Sequence, residues 1–268
     1  MKRKPAVAGY FYPGRPEELK KMIQKMVDPK MEKEKAICLV SPHAGFEYSG
    51  PVAGAVFSSA LLPEIFLILG PSHRNIHSRF ALMKKGLWET PLGDVPLESG
   101  LAELILNRSS LIEEDELAHR SEHSLEVQLP FIQFFMPNIS LVPLCISYAA
   151  SYQEIEELAR AVASSIKEYN REVLIVASTD MSHYVSEEKA RKKDFLAIEK
   201  ILELDARGLY QTVQEEDISM CGFQPTTAAI LASKELGAKK AELVKYQTSG
   251  ERTGNYFEVV GYAGIRIS

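Results

Sequence analysis

The chain has 268 residues, of which 31 are Lys or Arg and 36 are Asp or Glu, giving a formal charge of −5, with 46% hydrophobic and 25% charged residues. These are globular averages, so disordered and fibrous classes are excluded, and a chain this long can bury a large core as one α/β domain or two smaller ones. No apolar run approaches the ~18 residues of a membrane span, and mild acidity without a long Lys/Arg run argues against nucleic acid or anionic lipid as the main partner.

The first residues are basic, but residues 6–13 carry Gly, Pro and aromatic rings where a secretion signal needs an apolar segment, so none is expected. An amphipathic helix is predicted over 17–27, with Leu19, Met22, Ile23 and Met26 at helical spacing, followed by a strand over 36–41. Residues 51–62 read as a buried crossover helix with Pro51 in its first turn, and 65–69 as the next strand. Any helix over 125–136 must kink or restart at Pro130. Strands over 139–146 and 173–178 flank an amphipathic helix over 155–166. A helix opening at Pro225 and two strands over 241–246 and 257–267 complete the chain. Strand and helix in alternation imply a mainly parallel central sheet. No linker or composition break divides the sequence, so one α/β domain over residues 1–268 is expected.

Three apolar strands run into polar, turn-forming segments: Pro42-His43-Ala44-Gly45, Gly70-Pro71-Ser72-His73 and Thr179-Asp180-Met181-Ser182-His183. Open parallel sheets bind ligands beyond the carboxyl ends of their strands, so the three endings predict one crevice. A single strand-helix-strand crossover separates His43 from His73, which predicts neighbouring strands whose imidazoles reach one metal ion. The plain alternative is that each histidine caps a turn. Asp180, His183 and Cys221 are candidates for a third ligand, which a site with open positions requires.

Cys38 and Cys145 lie in apolar runs and read as core thiols. Cys221 precedes the helix opening at Pro225, where unpaired N–H groups should lower its pKa and make it a ligand or a nucleophile. Three dispersed cysteines form no disulfide framework, so a reducing, cytoplasmic setting is expected. His119-Arg-Ser-Glu-His123 matches the H-x-x-E-H pattern of a zinc peptidase class, which needs a helix to align its histidines. Independently of that pattern, Glu122 and His123 can line the pocket from a loop. His77 reads as a solvated loop histidine, and Asp180 as an orienting group, a metal ligand or a turn residue. Glycine-rich phosphate loops and the G-x-S-x-G elbow are absent from the sequence.

Together with Ala8-Gly9-Tyr10-Phe11-Tyr12, Glu122-His123-Ser124-Leu125-Glu126, Cys221-Gly222 before Pro225, and Gly261-Tyr262-Ala263-Gly264, the strand-end segments resemble the motif set of the Memo family across nearly the whole chain. The resemblance implies an α/β/α sandwich similar to class III extradiol dioxygenases, which use non-haem Fe(II). It also implies one divalent metal held by His43, His73 and Cys221, with Asp180 and His183 nearby and His183 matching the position of a catalytic base. The dioxygenase likeness favours Fe(II), but a cysteine stands where those enzymes have the carboxylate of the facial triad, and the softer thiolate makes Cu and Zn plausible as well. Three functions follow from the resemblance: a metal-dependent redox enzyme acting on an unidentified small molecule, a metal-handling protein without turnover, and a peptide-binding module that reuses the pocket.

Overall fold

The strand runs are apolar at every position because both faces of the sheet are covered. A computed structural model describes residues 2–74 and 78–268, so His77 lies outside the described residues. The large sheet has nine strands: β1 (Cys38–Ser41), β2 (Ile65–Pro71), β3 (Phe80–Leu82), β4 (Ile112–Glu114), β5 (Ser140–Ile146), β6 (Val173–Ser178), β7 (His183–Val185), β8 (Ala241–Thr248) and β9 (Val259–Ile267). Their order is β7-β9-β1-β6-β2-β5-β3-β4, with β8 also paired to β9.

The sheet is mixed, contrary to the mainly parallel one expected. Parallel pairs are β1–β6, β6–β2, β2–β5 and β3–β4, while β5–β3, β7–β9, β8–β9 and β9–β1 are antiparallel. Helical crossovers impose the parallel centre. By contrast, β8 and β9 pair with each other antiparallel and dock β9 against β1.

Among the described residues nine helices accompany the sheet: α1 (Pro16–Gln24), α2 (Phe46–Ser58), α3 (Ser99–Leu106), α4 (Leu129–Phe135), α5 (Tyr152–Tyr169), α6 (Glu187–Leu202), α7 (Ala206–Glu215), α8 (Phe223–Glu235) and the one-turn α9 (Gly250–Thr253). Alternate residues of β2 divide between two cores. Ile65, Leu67 and Leu69 join Ile155, Leu158 and Val162 of α5 on one face. Phe66 and Ile68 join Leu19, Phe46 and Phe57 on the other. Each such side chain contributes roughly 1.5–3 kcal/mol on full burial. A capping box at Ser151 and Glu154 starts α5, and Asn170 ends it in the left-handed region at φ 53°.

Two helix starts qualify the sequence reading. Helix α2 begins at Phe46, directly after Gly45, and Pro51 sits inside it, not in its first turn. The crossover therefore starts beneath the Pro42–Gly45 segment. A short 3₁₀ turn at Glu126–Gln128 precedes α4, which takes Pro130 in its first turn, the restart that Pro130 demands. Among the described residues no helix is long and apolar enough to cross a membrane.

Candidate functional site

Strand β6 lies between β1 and β2, so the strands carrying His43 and His73 are two spacings apart, about 9.6 Å, and not side by side as expected. The loops beyond the strand ends close that gap. The two imidazoles meet edge to face with ring centroids 5.2 Å apart. Ligand atoms of His43, His73 and Cys221 all fall within 4.8 Å of one another, as do those of Asp180, His183 and Cys221.

Hydrogen bonding selects the tautomer of each ring. The Ser178 hydroxyl donates to the Ser124 carbonyl at 2.6 Å and receives the Gln128 amide at 2.8 Å. Its remaining partner, His43 Nδ1 at 3.0 Å, must therefore donate. Nε2 of His43 is left with its lone pair, 3.2 Å from the Cys221 sulfur. In His73, Nδ1 lies 2.9 Å from Glu122 Oε1; an ionised carboxylate only accepts, so Nδ1 carries the hydrogen and Nε2 is the nitrogen available to a ligand. Burial first, and then the neighbouring His73 and His123 rings, hold His43 well below the ordinary histidine value, which keeps it neutral.

Glu122 is fully buried. Its carboxylate accepts the His73 amide at 2.6 Å and the His123 and Ser124 amides at 2.8 Å each. Burial pushes this carboxyl up, but the His73 hydrogen bond and charge and the Ser124 amide outweigh it and carry the group well below the usual range. One buried carboxylate thus fixes both the backbone and the ring of His73.

Cys221 precedes α8, with the Gly222 amide donating to the Thr179 hydroxyl at 2.9 Å. A side chain at Gly222 would collide with the Ser178 carbonyl and with Thr179, so only glycine lets the helix start press against the end of β6. The Asp180 amide donates to the Cys221 sulfur at 3.3 Å. The expected lowering of the Cys221 pKa is reversed, because burial and then the Asp180 charge push the thiol up. Asp180 itself accepts the His43 amide at 2.8 Å and the Ala44 amide at 3.3 Å, so it braces the end of β1. Burial raises its carboxyl pKa. His183 is clamped by Ser219: its amide donates to the hydroxyl and its Nδ1 to the carbonyl, both at 2.7 Å. A carbonyl only accepts, so Nδ1 carries the hydrogen and Nε2 is the nitrogen left outside this clamp.

The H-x-x-E-H reading fails. His119 lies in a 3₁₀ turn, fully buried, with Nε2 on the Ala81 carbonyl at 3.1 Å and Nδ1 at 3.5 Å from the Cys145 sulfur. Burial drops its pKa to about 4. His123 instead stacks on His73 at 4.6 Å and meets Phe11 edge-on at 4.8 Å, so Glu122 and His123 lie beside His73. Sequence reasoning missed Ser178, Gln128 and Ser219, which orient the rings, and Tyr148, whose ring stands 6.4 Å from His73. A serine at a strand end and a glutamine in a turn carry no pattern that marks them in advance.

A family model described as Memo-like protein matches residues 3–266. A MEMO1 family protein of Methanopyrus kandleri is 41% identical over 279 residues, covering 99% of this chain and 98% of its own. One of Pyrobaculum arsenaticum is 43% identical over 276 residues, covering 98% of both. Among solved structures, an uncharacterized Escherichia coli K12 protein aligns with a TM-score of 0.57 at 11% identity, covering 85% of this chain and 99% of that one, a likeness of fold alone.

Proposed function

The chain belongs to the Memo family, and from the pocket described above we propose that it binds one divalent metal ion through His43, His73 and Cys221 and uses it in redox chemistry on a small molecule. The observation that carries this reading is the tethering of both Nδ1 atoms, by Ser178 and Glu122, which leaves each Nε2 as the ligating nitrogen of a group whose ligand atoms, with the Cys221 sulfur, lie within 4.8 Å of one another. Metal-binding histidines characteristically donate their other N–H to a carboxylate or similar acceptor, which fixes the ring and raises its basicity. Two imidazoles and one thiolate suit Fe(II), Cu or Zn and leave positions open. When bound, such an ion supplies Lewis-acid or electron-transfer chemistry.

The chain's own groups do the rest. His183, oriented by the Ser219 carbonyl at Nδ1, turns Nε2 to the role of proton acceptor beside Asp180 and Cys221. Asp180 keeps the β1 end in place through the His43 and Ala44 amides. The likeness to extradiol dioxygenases belongs to this proposal, as does a cytoplasmic setting, which suits three free thiols of which Cys38 and Cys145 are buried.

Metal analysis of anaerobically purified protein tests the reading. Wild type should carry one ion per chain and Cys221→Ser substantially less; equal content in both would remove the thiolate from the ligand set. His183→Ala should keep its metal while any O₂-dependent turnover falls at least about a hundredfold, the low end of a general-base effect. Loaded protein that consumes no O₂ with any reducing substrate would favour metal handling.

A further inference from the structure

The opening motif Ala8-Gly9-Tyr10-Phe11-Tyr12 has no part in the ligand set, yet it is tied to the pocket at several points. Arg3 is buried, with Nε donating to the His119 carbonyl at 2.7 Å, one terminal nitrogen to the Glu122 carbonyl at 2.6 Å and the other to Glu126 at 2.6 Å. Its guanidinium also lies over the Trp88 ring at 4.1 Å. Glu126 is fully buried and accepts, besides Arg3, the Ala6 amide at 2.7 Å, the Val7 amide at 3.1 Å and the Tyr12 hydroxyl at 2.6 Å. Each buried charge thus has a full set of partners, the condition under which a buried ion pair is stable and the loss of one member is costly.

The segment closes on itself through Gly9 at φ +85°, whose amide donates to the Tyr12 carbonyl at 2.7 Å. This turn presents Phe11 in two directions. Its carbonyl accepts the Phe46 amide at 2.7 Å, the first of α2 after the His43 loop, and its ring packs on His123, which stacks on His73. The two carboxylates of Glu122-His123-Ser124-Leu125-Glu126 therefore face opposite tasks: Glu122 holds His73, and Glu126 holds the strap of residues 2–12.

We propose that Arg3 and Glu126 are positioning residues for the metal pocket: their ion pair latches the strap so that Phe11 joins the His43 loop to the Glu122–His123 turn and closes that wall. The consequence for metal retention rests on the ligand set proposed above; the latch itself does not. A latched wall should slow the departure of a bound ion without supplying a ligand.

The test uses Co²⁺ alone as probe, because a sulfur-to-cobalt charge-transfer band reports the thiolate, and it follows transfer of Co²⁺ to excess chelator. Glu126→Gln places amide hydrogens against the Ala6 amide and Arg3. It should abolish the slow hydrogen exchange of residues 6–11 and speed Co²⁺ loss at least about tenfold, with the charge-transfer band unchanged. Phe11→Leu leaves the latch intact; it should keep the strap protected and still speed Co²⁺ loss severalfold, and it decides the matter should Glu126→Gln not fold. Leu158→Ala, a core truncation in α5, should lower the melting temperature and leave the rate of Co²⁺ loss unchanged. A released strap with wild-type Co²⁺ loss, or unaltered loss in Phe11→Leu, overturns the proposal. Should wild type bind no Co²⁺, the ligand reading fails and a metal-free measurement decides the latch: carbethoxylation of His123 should be severalfold faster in Glu126→Gln and Phe11→Leu, and equal rates would overturn it.

Discussion

Strands β1, β2 and β6 end in regions of opposite character. Beyond their carboxyl ends stand His43, His73 and Asp180, with Cys221 brought in by α8. At their amino ends is a groove of 480 Å³ lined by Ile37, Leu61, Leu62, Ile166, Val173 and Leu236, with Lys35 and Glu172 among its few charged side chains. The groove is a concavity, yet among the described residues no group of His, Cys, Asp or Glu ligand atoms converges in it. Its apolar lining continues the strand pattern, whereas the loops beyond the carboxyl ends are released from that pattern and carry side chains chosen for chemistry. Cavity volume and convergence of donor groups thus single out different ends of the same sheet.

The largest effect that could break this contrast is at the ligands: His43→Ala or His73→Ala should lose stoichiometric metal, read by elemental analysis of dialysed protein. Retention in either variant would make the pocket end no more a metal site than the groove.

Acid should act next, and at the pocket end. His119 has a folded pKa of about 4 against an ordinary 6.5, so the unfolded chain takes up a proton that folded His119 refuses. Its stabilisation is present in full above about pH 6.5 and is lost as pH falls toward 4, to a total of about 3 kcal/mol. Urea unfolding of metal-free protein at pH 7 and 4.5 should show the drop, and His119→Gln should reduce it. The same drop in both proteins would acquit His119.

A smaller, sharper effect concerns the carboxylate behind His73. Glu122→Gln should weaken metal binding roughly 10- to 100-fold, the usual consequence of removing a ligand's outer partner, and unchanged affinity in a chelator competition would contradict the tautomer argument. Smallest of all, Leu61→Ser at the half-exposed groove rim should change stability by no more than about 0.5 kcal/mol and leave metal content alone. A measurable loss of metal there would mean that the two ends are coupled.

The pocket's members were legible because strand endings mark themselves: an apolar run that stops at Pro42-His43 or Ser72-His73 announces a turn with a titratable group. The strand order was not. Insertion of β6 between β1 and β2 depends on which strand fits between two others in three dimensions, and periodicity is silent on that. Of the antiparallel strands, Phe80–Leu82 and His183–Val185 carry too few residues to show an alternation, while those over 241–248 and 259–267 read as strands whose direction periodicity does not give. Proximity to a helix start predicted an acidified Cys221, but burial and the Asp180 charge dominate there. Likewise the spacing of His119 and His123 suggested a shared ligand face, whereas a 3₁₀ turn sends one ring into the core and the other into the pocket.

Ser219 and Cys221 are separated by a single residue, and Ser219 grips His183 at both its amide and its ring. The thiol and the imidazole are consequently mounted on one short lever. A displacement of the segment before α8 carries both in the same direction, so their relative distance is insulated from the breathing of the surrounding loops. Lengthening that lever by one inserted residue would let each drift independently while every side chain of the pocket remained chemically intact.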